Sequence, residues 1–351
     1  MIKLNQRQQS ILKIILEKGR LQSSEVHEEL TKRGEDISLV SIKRALSSMA
    51  KDGALTSIGL GRNTSYEIST IGRVFTDIAE KGYTGIEPDS RFGLDNYNFN
   101  LFPEFPTEIF SENEISDLNI ATKEYHQKSR NLSSVLGDKE LQRFVIELSW
   151  KSSKIEGNTY TLLDTERLIK DEIEAPGHAK DEARMILNHK DAFLFVRENE
   201  QEYQAFNLRN LEELHGILIK GLGVNKGIRK GLVGITGSKY KPLDNVFQIR
   251  EAIESLGEAI SRAKTPYDKA LLALVGISYI QPFEDGNKRT GRLMANALLL
   301  SHGYAPLSYR SVNEDDFKGS ILVFYETNSV ISFKQIFKEQ YIFAAEHYAV
   351  K

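Results

Sequence analysis

Twelve residues in this chain gather the means to hold a polyanion: Gln281-Pro282-Phe283-Glu284-Asp285-Gly286-Asn287-Lys288-Arg289-Thr290-Gly291-Arg292. An apolar run precedes them (Ala270, Leu271, Leu274, Ile277, Ile280) and another follows (Leu293, Ala297, Leu300), so the stretch reads as a loop between two helices. The first N–H groups of the second helix have no intrahelical partner, and its dipole favours negative charge there. Nucleotide phosphates are the natural occupants of such a loop. Asp285 is a hard oxygen ligand, suited to a Mg2+ ion shared with phosphate oxygens. Gly286 and Asn287 permit a tight turn and offer N–H donors to an anion. Arg289 and Arg292 lie three apart, share a helix face and can clamp phosphate oxygens in bidentate fashion. Phe283 reads as a core anchor for the loop. His178, His189, His215 and His302 have no metal-ligand spacing and read as structural or surface residues.

The elements that must position this loop are mostly helical. Residues 1–70 carry three helical patterns: Ile11, Leu12, Ile15 and Leu16 up to Gly19; Val26 and Leu30 behind a cap at Ser23 or Ser24; and Val40, Ile42, Leu46 and Met49 behind Ser38 or Ser41, up to Gly53. Two short apolar segments, 54–58 and 66–68, flank Gly59-Leu60-Gly61-Arg62-Asn63. This order is that of a winged helix-turn-helix. Eleven Lys/Arg against eight Asp/Glu make residues 1–70 net +3 in a chain that is −3 overall. Lys43 and Arg44 on the third helix and Arg62 at the wing tip are the expected contacts to duplex DNA. Residues 71–110 read as an ordered, aromatic-rich connector. Ser111-Glu112-Asn113-Glu114 is a capping box opening a helix, and helical patterns continue to the C-terminus. The exception is 227–242, where four glycines alternate with Val233, Ile235 and Tyr240 as a hairpin or flap.

With 351 residues, two or three domains are expected. The absence of cysteine excludes disulfides, thiol nucleophiles and thiolate metal sites, and suits a reducing cytoplasm. Lys13, Glu17 and Lys18 break any signal-peptide core, and the longest apolar run is too short to span a bilayer, so no membrane is expected.

Residues 281–292 resemble the Fic signature, His-x-Phe-x-(Asp/Glu)-Gly-Asn-(Gly/Lys)-Arg-x-x-Arg, through Phe283, Asp285, Gly286, Asn287, Lys288, Arg289 and Arg292. Gly227-Ile228-Arg229 and 233–240 resemble that family's flap, and Ser152-Ser153-Lys154-Ile155-Glu156-Gly157 its inhibitory motif. The resemblance covers about residues 100–345. It implies a mainly α fold: a Fic helical core with a small β-hairpin flap, plus the N-terminal winged helix. The expected division is 1–70 winged helix, 71–110 connector, 111–200 helical part with the inhibitory motif, and 201–351 Fic core.

By that resemblance the protein is an adenylyltransferase, using ATP and Mg2+ to place AMP on a Ser, Thr or Tyr hydroxyl of a protein target. Catalytic roles fall to position 281, Asp285, Asn287, Arg289 and Arg292. Nucleotide contacts fall to Gly286, Asn287, Lys288, Arg289 and Arg292, and metal binding to Asp285. Inhibition falls to Ser152, Glu156 and Gly157, with Glu156 pairing to Arg292, and target docking to Ile235, Thr236, Gly237 and Ser238. Two departures matter. Gln281 stands where the family has its histidine base; an amide does not titrate, and losing a general base costs about 10²–10⁴ in rate. Lys288 stands where glycine is commoner, as in death-on-curing proteins that transfer the terminal phosphate. The expected function is therefore AMP transfer by ancestry, restrained by Glu156 and impaired by Gln281. The alternatives are an inactive DNA-binding regulator responsive to ATP or ADP, and phosphoryl transfer. A homo-oligomer is compatible with each.

Overall fold

The computed structural model describes residues 2–350, and the chain divides into two compact units. One comprises Met1–Pro106, Ile235–Lys241 and Gly319–Phe333; the other comprises Thr107–Gly234, Pro242–Lys318 and Lys334–Lys351.

The first unit begins with α1 (Gln6–Lys18), β1 (Leu21–Gln22), α2 (Ser23–Lys32), α3 (Leu39–Lys51), β2 (Leu55–Ile58) and β3 (Ser65–Ile68), followed by the short helices α4 (Thr70–Phe75) and α5 (Glu80–Thr84). The strands form an antiparallel sheet in the order β1-β3-β2, with Leu21 opposite Tyr66 and Leu55 opposite Ile68. Asn5 and Gln8 make a capping box on α1, and Gly19 closes it at φ 82°. Ile11, Leu12, Ile15, Val26, Leu30, Ile42, Leu46 and Met49 share one core. Three sequence expectations need correction. Gln22, not Ser23 or Ser24, occupies the N-cap of α2. Val40 is 59% exposed, because Ile42, Leu46 and Met49 define the buried stripe of α3 and Val40 lies off it. Strand β1 went unread, since two residues are too few for an alternating pattern. Ser38 caps α3 as expected.

Further along this unit, the carboxylate of Glu326 is a buried hub. It accepts from Tyr83 (2.8 Å), Arg91 (3.3 Å), Ser238 Oγ (2.7 Å) and Lys239 N (3.1 Å). Burial and the neighbouring Glu326 push the Tyr83 phenol well above its ordinary range.

The second unit holds α6 (Glu112–Arg130), α7 (Ser134–Ile155), α8 (Leu162–Asp171), α9 (Lys180–Glu198), α10 (Leu208–Leu218), α11 (Val246–Arg262), α12 (Pro266–Ile280) and α13 (Asn287–Ser301). The chain continues through α14 (Glu314–Thr327) and α15 (Ile331–His347). The Ser111–Glu114 capping box opens α6 as its sequence requires. Every residue of α12 from Ala270 to Ile280 is buried, so this helix is apolar all round rather than amphipathic. α13 lies against it closely: a Cβ on Gly291 would sit 2.9 Å from the Leu274 carbonyl oxygen. The two helices that bracket the 281–286 loop are thus the unit's core, and the loop inherits their rigidity.

The expected hairpin at 227–242 does not form: no strand is found among these residues, and the bridge at Lys241 pairs it with Asn96. Carbonyls that a ladder would need are taken by side chains. Arg229, 2% exposed, donates to the oxygens of Gly231 (2.6 Å) and Leu243. Beyond it, Ser238 N turns back onto Ile235 O at 3.1 Å.

Candidate active site

The loop from Gln281 to Gly286 is built by its own side chains and by two residues of neighbouring segments. Gln281 ends α12 in a left-handed conformation, φ 51° and ψ 57°. Its amide is occupied: Nε2 donates to Ser278 O at 2.6 Å, and Oε1 accepts from Asn287 Nδ2 at 2.9 Å. Asn287 closes the turn by donating to Phe283 O (2.9 Å) while its Oδ1 accepts from Phe283 N (2.8 Å). Gly286 caps α13 at φ 82°, and Thr290 returns to its carbonyl through both N and Oγ1 at 2.9 Å.

Arg229 donates Nε–H to Gln281 O (2.6 Å) and its backbone N–H to Pro282 O (3.0 Å). His215, on α10, stacks flat on Phe283 at 3.7 Å and 5°, and its Nε2 lies 3.0 Å from Asp285 O. A carbonyl can only accept, so Nε2 carries the proton. Burial holds this imidazole down, at about 4. Phe283 is fully buried, the anchor its sequence suggested. Glu284 is exposed and accepts from Asn225 Nδ2 at 3.1 Å.

Ser152 and Glu156, one turn apart at the end of α7, meet α13. Arg292, 1% exposed, donates Nε–H to Ser152 Oγ (2.8 Å), Nη2–H to Ser152 O (2.9 Å) and Nη1–H to Glu156 Oε1 (2.7 Å). The other carboxylate oxygen, Oε2, lies 3.2 Å from Lys288 Nζ. Burial alone would raise the Glu156 carboxyl, but Arg292 and Lys288 outweigh it and hold it at about 2. Gly157 follows at φ 97°, which turns the chain away from the helix. Arg289 pairs with Asp285 Oδ2 at 2.9 Å, and its Nη1, buried, has no partner among the described residues. An orphaned guanidinium donor at a helix N-terminus is a place for an anion. The Asp285 side chain is 65% exposed, and its Oδ1 has no hydrogen bond among the described residues. That arrangement fits Mg2+, which binds through one or two carboxylates plus phosphate oxygens.

The second unit therefore brings together Ser152, Glu156, Gly157, Gln281, Asp285, Gly286, Asn287, Lys288, Arg289 and Arg292. Ile235, Thr236, Gly237 and Ser238 belong to the first unit, as do Lys43 and Arg44, both exposed on α3. Arg62 lies in the turn Gly61–Asn63; its side chain is outside the described residues. Sequence reasoning read His215 as a structural or surface residue without tying it to the loop, and gave Arg229 no role beyond the flap resemblance. A signal existed for the first: His215 falls in the apolar stripe of Leu211, Leu214 and Leu218. His189 is also fully buried, with neither ring nitrogen partnered among the described residues.

Residues 205–299 match the model of the Fic/DOC family. Protein adenylyltransferase Fic of Drosophila virilis is 29% identical over 161 residues, 45% of this chain and 33% of that one. The matched region thus spans about a third of the curated relative's length. A Fic family protein from Desulfovibrio desulfuricans superposes with a TM-score of 0.57 at 21% identity, over 67% of this chain and 72% of that one. A Fic domain-containing signalling protein from Bacteroides thetaiotaomicron does so at 0.55 and 17%, over 66% and 94%. The chain shares its fold with these Fic-domain structures, and the residues that match the family model, 205–299, include the whole of the 281–292 loop.

Proposed function

We propose that this chain is a Fic-type nucleotide-binding protein, descended from enzymes that transfer AMP from ATP to a protein hydroxyl and held in an inhibited state by Glu156. The reading rests on one observation above the rest: every nitrogen of the Arg292 guanidinium is engaged, two by Ser152 and one by Glu156. A guanidinium so committed cannot also grip a terminal phosphate in bidentate fashion.

In the transfer reaction the target hydroxyl oxygen attacks the α-phosphorus and gives up its proton to solvent, the bond to the bridging oxygen breaks, and pyrophosphate leaves. Asp285 would hold Mg2+, which neutralises phosphate charge when bound. The N-terminus of α13, with Arg289, receives the polyphosphate. Ile235, Thr236, Gly237 and Ser238 are the proposed docking segment for the protein target. Gln281 supplies no base.

A second reading has its own observation. Both ends of the Gln281 amide are tied into the loop, so the residue acts as a structural cross-link where a proton acceptor would be required. A protein using the Fic fold only to sense ATP or ADP needs no more. The N-terminal unit supports this reading, as a winged helix with Lys43 and Arg44 exposed on its third helix for duplex DNA.

The test is labelling with α- and γ-labelled ATP of four proteins: the parent, Gln281→His, Glu156→Gly and the double variant. Label from the α-position in the double variant, with a silent parent, is the expected result. Label from the γ-position alone would replace AMP transfer by phosphoryl transfer. Silence of the double variant toward itself and cell extract, with ATP bound, would favour the sensor.

A further inference from the structure

Glu156 is held by more than Arg292. Its two oxygens are divided, Oε1 to Arg292 and Oε2 to Lys288, at 2.7 and 3.2 Å. The two cations lie one turn apart on α13, so they project from one face. They differ in freedom. Arg292 is buried and tied by Ser152, whereas the Lys288 side chain is 33% exposed and pairs with Glu156.

Both helix ends make this contact strained without a partner. Glu156 is the C-cap of α7, where the dipole repels a carboxylate. Lys288, Arg289 and Arg292 crowd the first two turns of α13, where the dipole repels cations. Each end relieves the other. Once Glu156 leaves, Lys288 and Arg292 face an anion vacancy of the same width, beside Arg289 Nη1, which has no partner among the described residues.

We propose that Lys288 is a two-state specificity residue: it clamps the inhibitory carboxylate of Glu156 in the closed site and, after that carboxylate is displaced, binds the incoming polyphosphate as a second cation. This rests on the nucleotide-site reading above. It makes nucleotide and Glu156 compete for two cations instead of one. The open site then favours the ligand with the most phosphate charge, so ATP gains over AMP through Lys288.

A double-mutant cycle on the full chain tests it, with MgATP, MgADP and AMP titrated calorimetrically into the parent, Lys288→Ala, Glu156→Gly and the double variant. A charge-assisted contact is worth about 1.5–3 kcal/mol, or roughly tenfold and more in affinity. In the Glu156→Gly background, Lys288→Ala is expected to lower MgATP affinity about tenfold and leave AMP nearly unchanged. In the parent the same substitution costs clearly less, because loss of the phosphate contact is offset by easier release of Glu156. Lys288 is partly exposed, so alanine there leaves the fold intact, checked by circular dichroism. An equal factor in both backgrounds, or no effect in Glu156→Gly, overturns the proposal while leaving the nucleotide site standing. Failure of all four proteins to bind MgATP overturns both.

Discussion

Replacing Glu156 by Gln removes one charge and almost no volume, and the size of its effect follows from the site. The carboxyl stands at about 2 in the folded chain against an ordinary 4.5. That depression corresponds to roughly 3 kcal/mol of stability at neutral pH. The sign is fixed: a carboxylate with a lowered folded pKa stabilises fully above about pH 4.5 and loses its contribution as pH falls toward 2. Glu156→Gln is therefore expected to be about 3 kcal/mol less stable than the parent at pH 7, with the gap roughly 1 kcal/mol smaller at pH 3.5. Arg292 keeps both Ser152 contacts, so no second loss is added. Trp150, the single tryptophan, lies on the same helix as Glu156 and donates to Tyr160 O at 3.1 Å, so its fluorescence during urea unfolding reports on this region. MgATP should return much of the lost stability to the variant and little to the parent, since saturation at a hundredfold Kd supplies about 2.7 kcal/mol. A gap below about 0.5 kcal/mol at pH 7, or MgATP stabilising both proteins equally, would refute the clamp.

Three further outcomes follow from the same geometry. Gly286→Ala should cost about 1–2 kcal/mol from its left-handed backbone alone, because the nearest atoms to a new Cβ are at ordinary contact distance, 3.5–3.6 Å; a thermal melt showing no loss would remove the conformational argument. Burial holds His215 at about 4 against an ordinary 6.5, so the parent should lose stability as pH falls from 6.5 to 4, by roughly 3 kcal/mol. His215→Phe should flatten that slope, and an unchanged pH profile would dissociate the ring from it. Lys43→Ala with Arg44→Ala in the full chain should weaken duplex DNA binding and reduce the salt slope by up to about 2; equal slopes would make α3 a face for protein contacts.

The placement of the loop was legible because its residue types admit few uses. Asp285, Gly286, Asn287 and the two arginines are adjacent in sequence and helix-bracketed, so proximity needed no fold. Ser152 and Glu156 were legible only through resemblance, because nothing local ties α7 to α13; Glu156 and Arg292 are 136 positions apart and meet only through the packing of the chain between them. His215 and Arg229 were not assigned for the same reason. Each acts through a backbone carbonyl of a distant segment, and a carbonyl leaves no mark on sequence. The hairpin expected at 227–242 failed because alternation of glycine with apolar residues also suits an irregular segment whose carbonyls a buried arginine collects. The Lys288 contact was invisible from spacing, since a lysine in an anion loop points equally well toward ligand or inhibitor.

The carbonyls of the loop carry a consequence beyond their role as anchors. Gln281 O and Pro282 O turn toward Arg229, Phe283 O toward Asn287, Asp285 O toward His215, and Gly286 O toward Thr290. In a planar trans peptide the N–H points opposite to its carbonyl. With the oxygens of Phe283, Asp285 and Gly286 engaged, the N–H groups of Glu284, Gly286 and Asn287 each point away from the partner of the carbonyl in the same peptide. The orientation of those peptide dipoles is thus set by Asn287, His215 and Thr290 before any ligand arrives. A backbone contribution to anion binding of this kind survives neutralisation of any single cation.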